Sequence, residues 1–299
     1  MQSEFSEHGR SGRQVSMTCY LCSCSEFRTR SGVVRDDPSL RIVECTGCGL
    51  VTLSSLQHIQ TGHYEDSGMH GEKLPSIESW LRETEQDDRR RFEMLKALLI
   101  NRRVLDVGCG AAGFLRMAQS VAAGAVGVEP ERRVRDHWGE ALSLHQRLED
   151  AGGGYDVVTA FHVVEHLPDP RATLRSIASC LSNGGRLVIE VPSSEDVLLT
   201  LYDNEAFQRF TYWSQHLFLF NAETLRHLAT QAGLQVIAIQ QFQRYPLSNH
   251  LHWLSRHRPG GHQSWSFIDT PTLTAAYAAS LAAVGKCDTL IAHLERPQA

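Results

Sequence analysis

Two groups of residues in this 299-residue chain are spaced in ways that could do chemistry. The first is Val104-Leu105-Asp106-Val107-Gly108-Cys109-Gly110, with Gly113 three residues on and Glu129 nineteen residues past Gly110. An apolar run entering a glycine turn lets the backbone approach a bulky ligand, because Gly108 and Gly110 reach angles and distances that a side chain would block. A helix over Ala112 to Ser120 would then aim free N–H groups and its positive dipole end at that ligand. Glu129, closing the next apolar strand (Ala125 to Val128), could accept hydrogen bonds from both hydroxyls of a ribose. This is the chemistry of a nucleotide-type site. Gly108, Gly110 and Gly113 also satisfy G-x-G-x-x-G, so the glycines alone leave a dinucleotide oxidoreductase open.

The second group is the cysteines. Five of the eight lie in the first 48 residues, as Cys19-x-x-Cys22 with Cys24, and Cys45-x-x-Cys48 after a gap of 22 residues. Each C-x-x-C knuckle can turn two thiolates onto one metal, so the spacing points to a tetrahedral zinc ribbon on Cys19, Cys22, Cys45 and Cys48. Cys24 is a substitute ligand in that reading, and a redox or metal-free cluster is the other one. Val33-Val34 and Leu40 to Val43 read as hairpin strands between the knuckles. Cys109 fits the glycine turn as a small side chain, and Cys180 and Cys287 read as small buried hydrophobes.

These groups need elements to hold them. The 42% apolar content can bury a full core. Ile77 to Ile100 reads as one long helix whose polar centre, Glu83 to Arg91, is a solvated face or a break. Tyr155 to Phe161 and Arg186 to Val191 read as buried strands. Asn221 is a plausible helix cap with Thr224 in the first turn, and Gly233 closes that helix. Leu234 to Phe242 and Cys287 to Leu294 read as the last two strands. The long segments 193–215 and 245–285 read as a substrate cover, the second carrying one helix over Leu273 to Val284.

Asp106 inside its strand, Tyr155-Asp-Val-Val-Thr-Ala-Phe-His-Val-Val-Glu-His-Leu-Pro-Asp-Pro170 and Leu181-Ser-Asn-Gly-Gly-Arg-Leu-Val-Ile-Glu190 complete an ordered set. Over roughly residues 77 to 240 the chain resembles class I S-adenosylmethionine (SAM) methyltransferases. The resemblance implies an α/β fold: a Rossmann-like seven-stranded mixed sheet with the last two strands antiparallel, here behind a small N-terminal zinc ribbon. The expected division is a disordered tail over 1–16, the ribbon over 17–62 and the methyltransferase domain over 63–299. Two departures from the family pattern are Ala112, where a glycine is usual, and Asn183, where a proline is usual.

The resemblance also implies roles. Asp106 and the turn Gly108, Cys109, Gly110 and Gly113 would hold the aminocarboxypropyl end of SAM, and Glu129 its ribose. Leu148 and Glu149 would lie beside the adenine, and Phe161 and His162 would border the transferable methyl. His162, His166 and His216 are the candidates for removing a proton from an acceptor hydroxyl, with His250 and His262 behind them. Family members with such a ribbon often cap the cofactor with the connector, here 62–76, which makes Tyr64 a candidate contact, with a simple surface aromatic as the other reading.

The ribbon-plus-methyltransferase layout is similar to bacterial enzymes of surface-polysaccharide and natural-product pathways, which implies O-methylation of a small hydroxylated acceptor. A sugar C-methyltransferase, an rRNA methyltransferase and a non-catalytic zinc module on a degenerate fold are the alternatives. Net charge −5 argues against gripping long nucleic acid, and residues 1–62 balance six arginines with six acidic residues. No apolar run reaches the roughly 18–20 residues that span a bilayer, and the polar first sixteen residues are no secretory signal, so the expected setting is cytoplasmic.

Overall fold

The computed structural model describes residues 17–59, 65 and 74–297; the tail 1–16 and Tyr64 lie outside the described residues. The N-terminal part is a small antiparallel sheet of β1 (Phe27–Thr29), β2 (Ile42–Cys45) and β3 (Val51–Leu53). Val33 and Val34 are not in a strand: Val34 is buried in an irregular loop, and the hairpin instead pairs Phe27 with Cys45 and Thr29 with Val43. The pairing is set by the cysteine knuckle that β2 runs into, so the strand lies closer to Cys45 than the apolar pairs indicate.

Helix α1 (Ile77–Leu99) is unbroken, capped by Ser76, whose side chain accepts from the Ser79 N–H. Its polar centre is not a break, and only one side of it is solvated: Glu83, Glu85, Gln86 and Arg89 are exposed, while Asp88 and Arg91 are buried beside Phe92 and Leu95. The following chain alternates strand and helix: β4 (Arg103–Val107), α2 (Gly113–Gln119), β5 (Gly124–Val128), α3 (Arg132–Trp138), β6 (Ser143–His145), β7 (Tyr155–Phe161), α4 (Pro170–Cys180) and β8 (Leu181–Pro192). That alternation produces right-handed crossovers and a parallel sheet. The central strands read as continuous apolar runs because both faces are covered: Val158, Ala160, Leu187, Val188 and Ile189 have no exposed surface.

After β8 come α5 (Glu205–Thr211), β9 (Phe218–Leu219), α6 (Ala222–Gln231) and β10 (Gln235–Phe242). Asn221 caps α6 in a reciprocal box with Thr224. The cover is more helical than expected, with α7 (Leu247–Arg256) and the short α8 (Gly261–Ser264) preceding α9 (Pro271–Ala283) and β11 (Thr289–Glu295). The buried face of α7 carries Ser248, Asn249, His250 and His252, and such polar residues hide a helix from apolar periodicity.

The main sheet has the order β10-β11-β8-β7-β4-β5-β6, with β11 antiparallel to both neighbours and the rest parallel. This is the seven-stranded mixed sheet that the motifs imply. The small sheet is not a separate bead. β9 adds to it as a fourth strand, pairing Val51 with Leu219 and Thr52 with Phe218, and one apolar core runs through both sheets. No helix among the described residues is long and apolar enough to cross a membrane.

Phe218 packs against Tyr20 from the N-terminal part and against Phe220, and it is essentially unexposed. Phe218→Ala should cost about 3–5 kcal/mol by leaving a cavity at this junction. Because the core is shared, denaturant should unfold the N-terminal sheet and the main sheet in one transition, with the midpoint lowered in the variant. Separate transitions seen by fluorescence and circular dichroism would show that the two parts are independent.

Candidate functional site

At the carboxyl end of β4 the chain turns through Gly108 (φ +66°) and Gly110 (φ +54°), both in the left-handed region. A β-carbon on Gly108 would stand 2.5 Å from Val163, so glycine is required there by space as well as by angle. Glu129 follows β5 and braces this turn: its Oε2 accepts from the Gly110 N–H at 2.8 Å and its Oε1 from the Glu131 N–H at 2.9 Å. Asp106 accepts from the Thr159 hydroxyl at 2.7 Å. Burial pushes both carboxyls, Asp106 and Glu129, up to about 7. The Cys109 thiol is raised well above its ordinary range, again by burial.

These residues line one end of a cavity of about 620 Å³, together with Phe161, His162 and Asp88. Leu148 and Glu149 are off its wall. In the 3₁₀ turn Leu148–Ala151, Leu148 is half-buried against the main core and Glu149 is exposed.

Next to the glycine turn, Glu190 near the end of β8 has no exposed surface. It accepts from Arg90 Nη2 at 2.8 Å and 2.9 Å, from Arg91 Nη2 at 2.8 Å, and faces His162 Nε2 at 3.2 Å. Burial works against its charge, yet the hydrogen bonds from His162 and the charge of Arg91 hold it well below the usual carboxylate range. His162 Nδ1 meets Glu165 Oε1 at 3.1 Å, and the residue sits at φ +53°. Burial would lower this imidazole, but the two carboxylates outweigh it and raise it. With Glu165 on Nδ1 and both Glu190 and Arg244 Nη1 (3.3 Å) facing Nε2, His162 is a clamp held from three sides. Arg244, just after β10, pairs with Asp87 of α1 and so ties the cover to the same helix. Asp87, Asp88, Arg90, Arg91, Glu190 and Arg244 were not among the expected site residues. The sequence signal was the acidic-basic block on a helix otherwise facing a sheet.

Across the cavity, His166 and His216 lie with ring centroids 5.0 Å apart, beside Trp213. His166 donates from Nδ1 to the Gln215 carbonyl at 2.8 Å. Burial lowers both imidazoles, His216 to about 3. The far wall is apolar and aromatic, with Leu198, Phe207, Phe210 and Trp253, which come from both cover segments. His250 is bound by Tyr277 Oη at 2.7 Å on one nitrogen and Gln243 at 3.2 Å on the other, and His262 meets Asn249 at 3.2 Å.

Residues 78–239 match the family model described as a methyltransferase domain. The chain belongs to the class I SAM-dependent methyltransferases. That membership removes the dinucleotide oxidoreductase reading of the glycines. Among its relatives, a ubiquinone biosynthesis O-methyltransferase of Aeromonas salmonicida is 29% identical over 168 residues, which is 50% of this chain and 70% of that protein. Another of the same description, from Sodalis glossinidius, is 36% identical over 101 residues, 30% of this chain and 41% of that one. The matched segment thus spans less than half the length of several curated relatives. A chain in the complex of the Haloferax volcanii Trm112 methyltransferase activator with a methyltransferase shares the fold, with a TM-score of 0.50 at 16% identity over 76% of this chain and 100% of that one.

The methyltransferase's cysteine cluster is off the wall of this cavity. Cys19, Cys22, Cys45 and Cys48 present sulfurs all within 4.8 Å of one another, with Cys19–Cys48 at 3.6 Å and Cys22–Cys45 at 3.5 Å. Cys24 is outside the group, its thiol taken by the Glu26 backbone. The ribbon also reaches the cavity: Asp36 accepts from the backbone and hydroxyl of Ser214, and Arg35 lies over the Trp213 ring at 4.6 Å.

Glu129 gives the methyltransferase a pH dependence of known sign. Its folded value of about 7 lies above its ordinary 4.5, so the proton is held in the folded state. The stability it contributes is full below the unfolded pKa and is lost as pH rises through the folded value. Relative to Glu129→Gln, the wild type should lose on the order of 3 kcal/mol between about pH 4.5 and 7 and nothing further above. A difference in unfolding free energy that stays flat across this window would contradict a protonated Glu129.

Proposed function

We propose that this methyltransferase O-methylates a small hydroxylated acceptor. The observation that carries the reading is the single cavity joining the glycine turn to a histidine-lined, aromatic acceptor end. Bound SAM supplies an electrophilic methyl on a sulfonium. Asp106 and the turn Gly108, Cys109 and Gly110 would hold its aminocarboxypropyl end, with Gly113 buried behind them at the start of α2, and Glu129, which keeps lone pairs beyond those used by Gly110 and Glu131, would take the ribose. Phe161 and the His162 clamp border the methyl. The aromatic wall orients the acceptor and excludes water, which is most of what an in-line displacement needs. Transfer would form the oxygen–methyl bond as the methyl–sulfur bond breaks, with the acceptor hydroxyl's proton passing to solvent at the end of the cavity lined by His166 and His216. The ubiquinone-pathway relatives, themselves named as O-methyltransferases, support oxygen as the accepting atom.

Incubation with isotope-labelled SAM and fractionated small hydroxylated compounds should give a labelled ether. S-adenosylhomocysteine should raise the melting temperature and NAD should not. Above pH 7, where its carboxylate is ionised, Glu129→Ala should weaken SAM binding at least tenfold by removing charge-assisted ribose hydrogen bonds, worth about 1.5–3 kcal/mol each. Label arriving on carbon would transfer the reading to C-methylation, and undiminished SAM affinity in the variant would leave Glu129 as a brace of the turn alone.

We further infer that the four-cysteine cluster holds one structural zinc. Thiolates at about 2.3 Å from a tetrahedral metal stand roughly 3.8 Å apart, whereas a disulfide brings sulfurs to about 2.05 Å. The observed 3.5–3.6 Å fits the metal. Free cysteines throughout are in keeping with a reducing, cytoplasmic setting. Elemental analysis should find zinc bound at the cluster; Cys45→Ser should lose it and lower the melting temperature of the whole chain, while Cys24→Ser should keep it. A Cys24→Ser protein without this zinc would reassign the first knuckle.

A further inference from the structure

The acceptor wall contains a second set of ligand-type atoms. Glu165, His166 and His216 each present one such atom, all mutually within 4.8 Å. Glu165 lies in the 3₁₀ turn Val164–His166 after β7 and has no exposed surface. Its Oε1 is taken by His162, but its Oε2 is buried with no hydrogen-bond partner, and so is His216 Nδ1. A buried carboxylate oxygen and a buried imidazole nitrogen each forfeit hydration, and that loss calls for a compensating partner. The third member is prepared in a different way. His166 donates Nδ1–H to the Gln215 carbonyl, which fixes the tautomer with its lone pair on Nε2, 3.9 Å from Glu165 Oε1. Ligating histidines characteristically make this bond with the nitrogen that does not touch the metal.

We propose that Glu165, His166 and His216 hold one divalent first-row cation at the acceptor end of the cavity. Two imidazoles and a carboxylate form a borderline donor set, suited to manganese, iron or zinc and distinct from the all-sulfur ribbon. Small side-chain rotations bring the three atoms onto a common ion. Both histidines line the cavity and Glu165 stands behind them, so the remaining coordination positions open toward the acceptor. The purpose of the site rests on the methyl-transfer reading: a cation meeting the acceptor hydroxyl lowers its pKa, so the proton passes to solvent without either imidazole titrating. The existence of the site does not depend on that reading.

The test uses the full chain with its ribbon filled with zinc, and manganese(II) as the probe, because manganese does not displace zinc from thiolates. Electron paramagnetic resonance of free manganese should show one ion taken up per chain. His216→Ala and Glu165→Gln should each weaken uptake at least tenfold, while the S-adenosylhomocysteine melting shift persists and reports an intact fold. Wild-type protein that takes up neither manganese nor zinc beyond the ribbon's own content overturns the site. If manganese binds but the metal-free and loaded enzymes methylate the acceptor equally fast, the cation's role at the acceptor is overturned and the histidine wall acts alone. Absence of methyl transfer under every loading, with manganese still bound, defeats the methyl-transfer reading and leaves the cation site standing.

Discussion

Glu190 is a charged carboxylate with no exposed surface, and a buried charge of that kind persists only where opposite charge and hydrogen bonds meet it. Arg90 and Arg91 come to it from α1, and His162 from the turn after β7. Removing any partner would leave the others facing an uncompensated ion, so the polar centre of α1, the end of β8 and the turn after β7 are held in one geometry. The chain continues outward from there: Asp87 on the same helix holds Arg244, and Arg244 begins the cover. His162 in turn holds Glu165, whose backbone carbonyl accepts from Leu217 at the foot of β9. The network therefore joins α1, the turn after β7, the histidine wall and the cover.

The N-terminal ribbon extends the same constraint from the other side. β9 is short, only Phe218–Leu219, and it is held in place by β3, while Asp36 fixes Ser214 and Arg30 donates to the Ser194 carbonyl at 3.0 Å. The segment between β8 and β9 supplies Phe207, Phe210, Trp213 and His216 to the cavity, and so the wall that meets the acceptor is anchored at both ends to the ribbon. A metal in the ribbon would act on the acceptor site through this scaffold, some distance from any reacting atom.

The parts of the fold that were legible in the sequence were those where local chemistry and tertiary demand coincide. Val104 to Gly110 must be a buried strand and a glycine turn whatever surrounds it, and Asn221 with Thr224 caps a helix by itself. The four ligating-type cysteines were legible through spacing alone. What escaped was decided by partners distant in sequence. Asp88 and Arg91 look like solvated helix residues until Glu190, about a hundred positions on, is placed against them. The helix α7 hides behind buried histidines. Glu165 reads as one letter of a loop motif, although it is the carboxylate on which His162 and the histidine wall converge.

Ala112 shows how a departure from the family pattern is absorbed. It takes the left-handed conformation, φ +64° and ψ 25°, that glycine would adopt freely, at a cost of roughly 1–2 kcal/mol for an L residue. The conformation is imposed from both sides: the Ala112 N–H donates to the Cys109 carbonyl at 2.9 Å, and Trp138 Nε1 donates to the Ala111 carbonyl at 3.0 Å. The methyl itself has no exposed surface and packs with Leu115 and Leu142, whereas its neighbour Ala111 is the residue on the cavity wall. The added carbon therefore points into the core instead of toward the ligand. The substitution is met by backbone strain and partly offset by apolar burial, and the space above Gly108 and Gly110, on which cofactor approach depends, is left as open as a glycine would leave it.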